Sequence, residues 1–164
     1  MKKRIIKTGF LIFFAISFTT GISSCNNVEE NGTAVENKNL IFPKGEKITN
    51  DNFTGTAYLL SLIEGDSTNP NSVGNVTFEP GARTKWHSHP AGQILLATDG
   101  VGYYQEKGQP KKILRKGDVI KCPPNILHWH GASVDSVFVQ IAITGREKGT
   151  TIWLEKVTDE EYTK

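Results

Sequence analysis

From about Leu40 onward, apolar and polar residues alternate in short runs separated by turn signals at intervals of roughly 8–12 residues, the pattern of an all-β sandwich or barrel. The runs predict strands over Ala57–Ile63, Val73–Glu79, Thr84–His87, Gln93–Thr98, Gly102–Glu106, Lys111–Leu114, Val119–Cys122, His128–Ala132, Val137–Ile143 and Thr151–Glu155. Between them sit Glu79-Pro80-Gly81-Ala82, Asp99-Gly100, Lys107-Gly108 and Lys116-Gly117. Pro80-Gly81 supplies a fixed φ followed by a positive one, the requirement of a type II turn. Asp99-Gly100, between two apolar runs, predicts a two-residue hairpin. No stretch of the body shows a helical apolar period. Only Thr158–Thr163 predicts a short C-terminal helix, with Thr158 as its cap. There is no internal repeat and no low-complexity segment.

Before Leu40 the pattern changes. Met1–Lys7 is cationic, Thr8–Ile22 is apolar but broken by Thr, Ser and Gly, and Ile22-Ser23-Ser24-Cys25 sets small residues before a cysteine. The apolar run is too short and interrupted for a span of about 20 residues, and it fits the three parts of a secretory signal peptide. Its end resembles a bacterial lipobox, which implies cleavage before Cys25 and a lipid on that thiol. The expected organisation is a lipoprotein signal peptide over 1–24, a flexible tether over 25–40 and a folded domain over 41–164. Asn26–Asn39 is polar and aperiodic, as a tether should be. The expected location is exported and membrane-anchored, on the periplasmic or cell-surface face. Cys122 is then left alone, and its setting in Val-Ile-Lys-Cys-Pro-Pro favours burial.

Charge adds little. Lys plus Arg is 19 and Asp plus Glu 17, but Lys2, Lys3, Arg4 and Lys7 belong to the leader; without them 15 stand against 17, a balance of −2. A nearly neutral domain has no electrostatic footprint for nucleic acid. Two cysteines cannot build a disulfide scaffold.

The four histidines carry the chemistry. They occur as His87-Ser88-His89 and His128-Trp129-His130. Residues two apart on a strand share a face, so each pair sends two imidazoles to one side. Imidazole suits divalent transition metals, and three of them can hold one ion. Gln93 follows His89 after the turn Pro90-Ala91-Gly92 and can reach the same centre. Arg83 shares strand parity with His87, so an inward guanidinium able to clamp a carboxylate or oxyanion is expected; the alternative is an ion pair at the barrel mouth. Trp86 and Trp129 have the opposite parity and are expected in core or subunit contacts. Tyr103 and Tyr104 alternate, so one of them is expected to face the cavity.

Gly81, five residues, His87-Ser88-His89, three residues, Gln93, six residues, Gly100 resembles the first motif of the cupin superfamily. Gly117, five residues, Pro123, with His128 four residues after Pro124, resembles the second. The resemblance spans roughly residues 42–155. It implies a jelly-roll (double-stranded β-helix) barrel in which His87, His89, Gln93 and His128 hold a divalent ion. Gln93 stands where most cupins have Glu, so the ion keeps its full double charge instead of losing one unit, which favours anionic ligands and Lewis acidity. Asn125 and Ala132 replace a Gly and an Asn of the second motif, which affects turn and strand-end geometry and leaves the ligands intact.

The stretches 78–93 and 123–131 are similar to the manganese-dependent cupin hydroxynitrile lyases and to small cupins named alongside carboxymuconolactone decarboxylases. That similarity implies manganese, with iron, zinc and nickel behind it, His130 as the proton carrier, and a homodimer. The expected function is a metal-dependent enzyme acting on a small organic molecule, most specifically cleavage or formation of a cyanohydrin. A metal-dependent dioxygenase and a non-catalytic lipoprotein that binds a small ligand are the alternatives.

Overall fold

The computed structural model describes residues 40–164. The expected leader, the lipidation site Cys25 and nearly all of the tether lie outside the described residues. Twelve strands and one helix follow in chain order: β1 (Glu46–Lys47), β2 (Phe53–Thr54), β3 (Ala57–Ile63), β4 (Asn71–Phe78), β5 (Arg83–Thr84), β6 (His87–Ser88), β7 (Gln93–Glu106), β8 (Lys112–Arg115), β9 (Val119–Cys122), β10 (His128–Ala132), β11 (Phe138–Gly145), β12 (Ile152–Trp153) and α1 (Asp159–Thr163). All pairings are antiparallel. One wall runs β1-β3-β4-β11-β7, with β9 also on β7; the other runs β7-β10-β5-β2, with β8 on β7, β6 on β10 and β12 on β6. The result is a curled, half-closed barrel, in agreement with the all-β expectation.

Two departures from the sequence reading position the site. Asp99-Gly100 is no hairpin, because the chain runs straight through it as the 14-residue β7. Strand β11 pairs with the dipeptide itself, Phe138 opposite Gly100 and Val139 opposite Asp99; the register then shifts before Gln140, and beyond Gly100 β7 pairs with β10 and β8 instead. Gly100 has φ +73°, and a Cβ there would lie 1.8 Å from the Val137 carbonyl oxygen. The glycine therefore serves a bulge that bends one strand across both walls.

The expected strand Thr84–His87 is likewise two pieces, β5 and β6. Arg83 pairs with Gly131 and His87 with His128. Three residues on this side thus face two on β10. The extra residue inverts the parity, so Thr84 and His87 look into the barrel while Arg83 and Trp86 look out.

Two apolar clusters result. Inside the barrel, Phe78, Leu95, Tyr104, Leu114, Cys122 and Phe138 pack together. Burial pushes the Cys122 thiol up to about 12, so it is an inert core group. On the opposite side of β10, Trp86 and Trp129 pack with Val157 and Tyr162, as the parity of the two tryptophans predicts. Helix α1 is closed by the expected cap: Thr158 accepts from the Glu161 amide while the Glu161 side chain accepts from the Thr158 amide. Tyr162 then donates its hydroxyl to the Ala132 carbonyl at 2.8 Å, pinning the helix to β10.

Candidate functional site

The barrel interior opens into a cavity of about 540 Å³, lined among others by Thr84, His87, His89, Gln93, His130 and Trp153. The alternation on β6 and β10 brings all four imidazoles together and buries them. Ring centroids of His87 and His128 lie 4.3 Å apart, those of His87 and His89 5.0 Å, and those of His87 and His130 5.2 Å. His87, His128 and His130 each offer a ring nitrogen, and the three lie within 4.8 Å of one another.

Hydrogen bonds decide which nitrogens are free. His87 donates Nδ1–H to the Lys85 carbonyl and His128 donates Nδ1–H to the Ile126 carbonyl, each at 2.9 Å. Because a carbonyl only accepts, both rings carry their proton on Nδ1 and present a lone pair at Nε2. The Gln93 amide is also oriented: its Nε2 donates to Thr144 Oγ1 at 3.0 Å, which turns Oε1 to within 3.4 Å of His128 Nε2. His89 Nδ1 lies 3.2 Å from Thr151 Oγ1, while its Nε2 is buried with no partner. A buried polar nitrogen left unpaired costs about 1–3 kcal/mol, so it marks a place where something is meant to bind.

His130 is held differently. Its backbone amide donates to Thr84 Oγ1, and the Gln140 Nε2 amide donates to its Nδ1 at 2.9 Å. In that arrangement the neutral ring keeps its hydrogen on Nε2 and presents an N–H instead of a lone pair. The structure thus orients the Nε2 lone pairs of His87 and His128, with Gln93 Oε1 and the unpartnered His89 Nε2 in the same interior. The ring nitrogens that converge within 4.8 Å are those of His87, His128 and His130, and His130, held by Gln140, presents its N–H.

Burial holds all four imidazoles below their ordinary pKa. The charge of His128 adds to this at His87, His89 and His130. His89 falls to about 3, with Arg146 contributing after burial and His128. Neutral imidazole is the ligating form. Three nitrogens and one amide oxygen suit a divalent first-row ion.

Arg83 needs correction. Its guanidinium donates to Asp159 and to the Val157 carbonyl and lies over the Tyr162 ring at 4.4 Å. It clamps the C-terminal segment and does not enter the cavity, because the extra residue between β5 and β6 reverses its face. Of the two tyrosines, Tyr104 is the inward one: its ring centroid lies 5.5 Å from that of His128 and its hydroxyl donates to Glu106. Tyr103 packs outside against Tyr162.

Sequence reasoning missed Gln140, Thr151 and Trp153. Gln140 was detectable, as a polar residue at an inward position of β11 between Phe138 and Ala142. Trp153, whose ring lies 4.8 Å from that of His87, sits on β12 within the expected strand Thr151–Glu155, but the pairing of β12 with β6 that brings it to the histidines has no local signal. Thr151 lies in the loop before it.

The comparisons with known proteins agree with this geometry. A cupin-domain family profile matches residues 74–143. An (R)-mandelonitrile lyase from Granulicella tundricola is 42% identical over 113 residues, covering 68% of this chain and 86% of that protein. A cupin-like protein from Thermotoga maritima is 50% identical with a TM-score of 0.71, covering 74% of this chain and 93% of that one. A cupin 2 conserved barrel domain protein from Rhodopseudomonas palustris shares the fold at 13% identity, with a TM-score of 0.57 over 71% of this chain and 78% of its own. The chain belongs to the cupin family.

Proposed function

We propose that this cupin is a metal-dependent enzyme acting on a small organic molecule, and most specifically that it interconverts a cyanohydrin with an aldehyde and hydrogen cyanide. The observation that carries the reading is the meeting of four buried imidazoles at a cavity, with the Nε2 lone pairs of His87 and His128 oriented by backbone carbonyls and His89 Nε2 unpartnered. The 42% identity to a protein named (R)-mandelonitrile lyase supports the reaction class. His87, His89, Gln93 and His128 would hold the ion, with manganese the first to test and iron, zinc and nickel after it. Such an ion supplies Lewis acidity at a carbonyl or alkoxide oxygen.

The chain's own residues handle the proton. In cleavage, the carbon–carbon bond breaks with its electron pair leaving on cyanide, the hydroxyl O–H electrons become the second carbonyl bond, and one proton passes from oxygen to cyanide. His130 carries it. With the Gln140 amide as found, Nε2–H is the donor; with that amide turned, its Oε1, now unpartnered, accepts from Nδ1–H and Nε2 is free to accept. Thr84, whose hydroxyl accepts from the His130 backbone amide, ties β5 to β10 beside that ring, and His130 shares the cavity wall with His87, His89 and Gln93. Trp153 and Phe53 form an apolar wall for the organic part of the substrate.

The test is release of benzaldehyde and cyanide from mandelonitrile without oxygen, by metal-loaded and chelator-treated protein. Turnover should need metal and no oxygen, and should fall by roughly 10²–10⁴-fold in His130→Ala with bound metal unchanged. Oxygen consumption would instead favour the dioxygenase, and ligand binding without turnover the binding protein. We further propose that residues 1–24 are removed and Cys25 lipidated, which would hold the domain at a membrane surface; fatty-acid labelling should disappear in Cys25→Ala.

A further inference from the structure

Arg146 follows β11 and lines the cavity on the side of His89 and Thr151. Its Nε donates to Ser72 Oγ at 2.9 Å and its Nη1 to Thr151 Oγ1 at 3.1 Å. Both acceptors are neutral hydroxyls, and they belong to different elements: Ser72 to β4 and Thr151 to the segment before β12. No carboxylate pairs with this guanidinium among the described residues. Arg83 offers the contrast: it is ion-paired to Asp159, bonded to a carbonyl and stacked on an aromatic ring. Two hydroxyls fix the Arg146 fork without neutralising it, and Nη2 is left with no acceptor among the described residues.

A planar, oriented and charge-unpaired guanidinium is a preorganised receptor for a carboxylate. The location matters as much as the chemistry. Thr151, which anchors Nη1, is the same hydroxyl that meets His89 Nδ1, so the free edge lies two hydrogen bonds from the imidazoles. The other charged residues of the cavity wall are Glu46, Lys47 and Glu64, and Glu64 already accepts from Ser61 Oγ.

We propose that Arg146 docks the carboxylate of an anionic substrate, a small organic acid whose hydroxyl or carbonyl group reaches the imidazole end of the cavity. This deepens the functional reading and rests on it only in taking the cavity as the reaction site. A neutral cyanohydrin would then be accepted for its shape, while a 2-hydroxy or 2-oxo acid would also use the guanidinium. Arg146 is exposed, which screens the gain.

The experiment compares two probes of one skeleton, mandelate and its neutral amide, by calorimetric titration of the full-length protein as purified and after chelation. Mandelate should bind about tenfold tighter than mandelamide in both forms, equivalent to about 1.4 kcal/mol. The preference should vanish in Arg146→Gln and return in part in Arg146→Lys. An unchanged preference in Arg146→Gln would overturn the proposal, and so would an equal loss for both probes, which would make Arg146 only a prop for Thr151. A preference present only in the metal-loaded form would also overturn it, because the ion and not the arginine would then be the receptor. Failure of the enzymatic reading appears instead as absence of metal-dependent turnover and leaves this comparison intact.

Discussion

Trp86 and His87 are adjacent in sequence, as are His128 and Trp129, yet each pair divides between two interiors. The histidine side is a cavity with buried polar atoms, two of them, His89 Nε2 and Gln140 Oε1, without partners. The tryptophan side is closed and mostly satisfied: Trp129 Nε1 donates to Gln105, Trp86 Nε1 to Glu161, Tyr162 to Ala132, and Lys107 lies 4.1 Å over the Trp86 ring. Strand β10 thus turns its histidines to the cavity on one face and its tryptophan to packing on the other. The lesson is that binding and stability are segregated by parity, and single substitutions one residue apart should separate them.

The sharpest break is expected at His128. Its replacement by alanine should abolish metal retention and lower turnover beyond the roughly 10–100-fold that follows loss of an outer hydrogen-bond partner. The thermal midpoint of the metal-free protein should fall less than in Trp129→Ala, since the smaller imidazole leaves the smaller cavity; elemental analysis with calorimetry checks both.

Trp129→Ala, one residue on, should do the reverse. It empties a fully buried site in the C-terminal cluster, so about 3–5 kcal/mol of stability should go. Metal stoichiometry at low temperature should persist, and denaturant titration alongside metal analysis measures the contrast.

A smaller effect belongs to Thr151→Val, which removes the hydroxyl at His89 Nδ1 while leaving the imidazole in place. Metal affinity should weaken about tenfold in a chelator competition, with unfolding unchanged.

The smallest concerns the C-terminal clasp alone. Burial would raise the Glu161 carboxyl, but hydrogen bonds from the Thr158 amide, Lys107 and Trp86, with the Lys107 charge, outweigh it and hold it at about 2. A depressed carboxyl stabilises the fold above its ordinary value near 4.5, and that contribution is lost as pH falls from there through about 2. Tyr162 should become more exposed over that interval, and Glu161→Gln should flatten the profile.

Much of this was legible from alternation. The two His-X-His runs fall where strand parity and burial agree, so their convergence follows from local pattern, and Thr158 with Glu161 spells its own helix cap. Asn125, in place of a family glycine, takes φ +62° and so keeps the turn, as a short polar side chain permits. The failures share a cause. The parity that turns Arg83 inward assumes an unbroken strand, and the Asp99-Gly100 signal predicts a hairpin, but each lies at a bulge whose extra residue is set by the pairing partner. The brief strands β1 and β2 exist through tertiary pairing and have too few residues to show any period, whereas β12 falls inside the expected strand Thr151–Glu155.

The bend in β7 has a further effect on the shape of the cavity. Gln93 begins that strand, and Tyr104, resting on His128, lies near its end, so one unbroken backbone reaches both flanks of the imidazole cluster. The curl at Gly100 therefore works like the bow of a pair of tongs, setting how far apart the jaws stand. A lineage needing room for a bulkier guest can flex that bow and leave every gripping atom as it is.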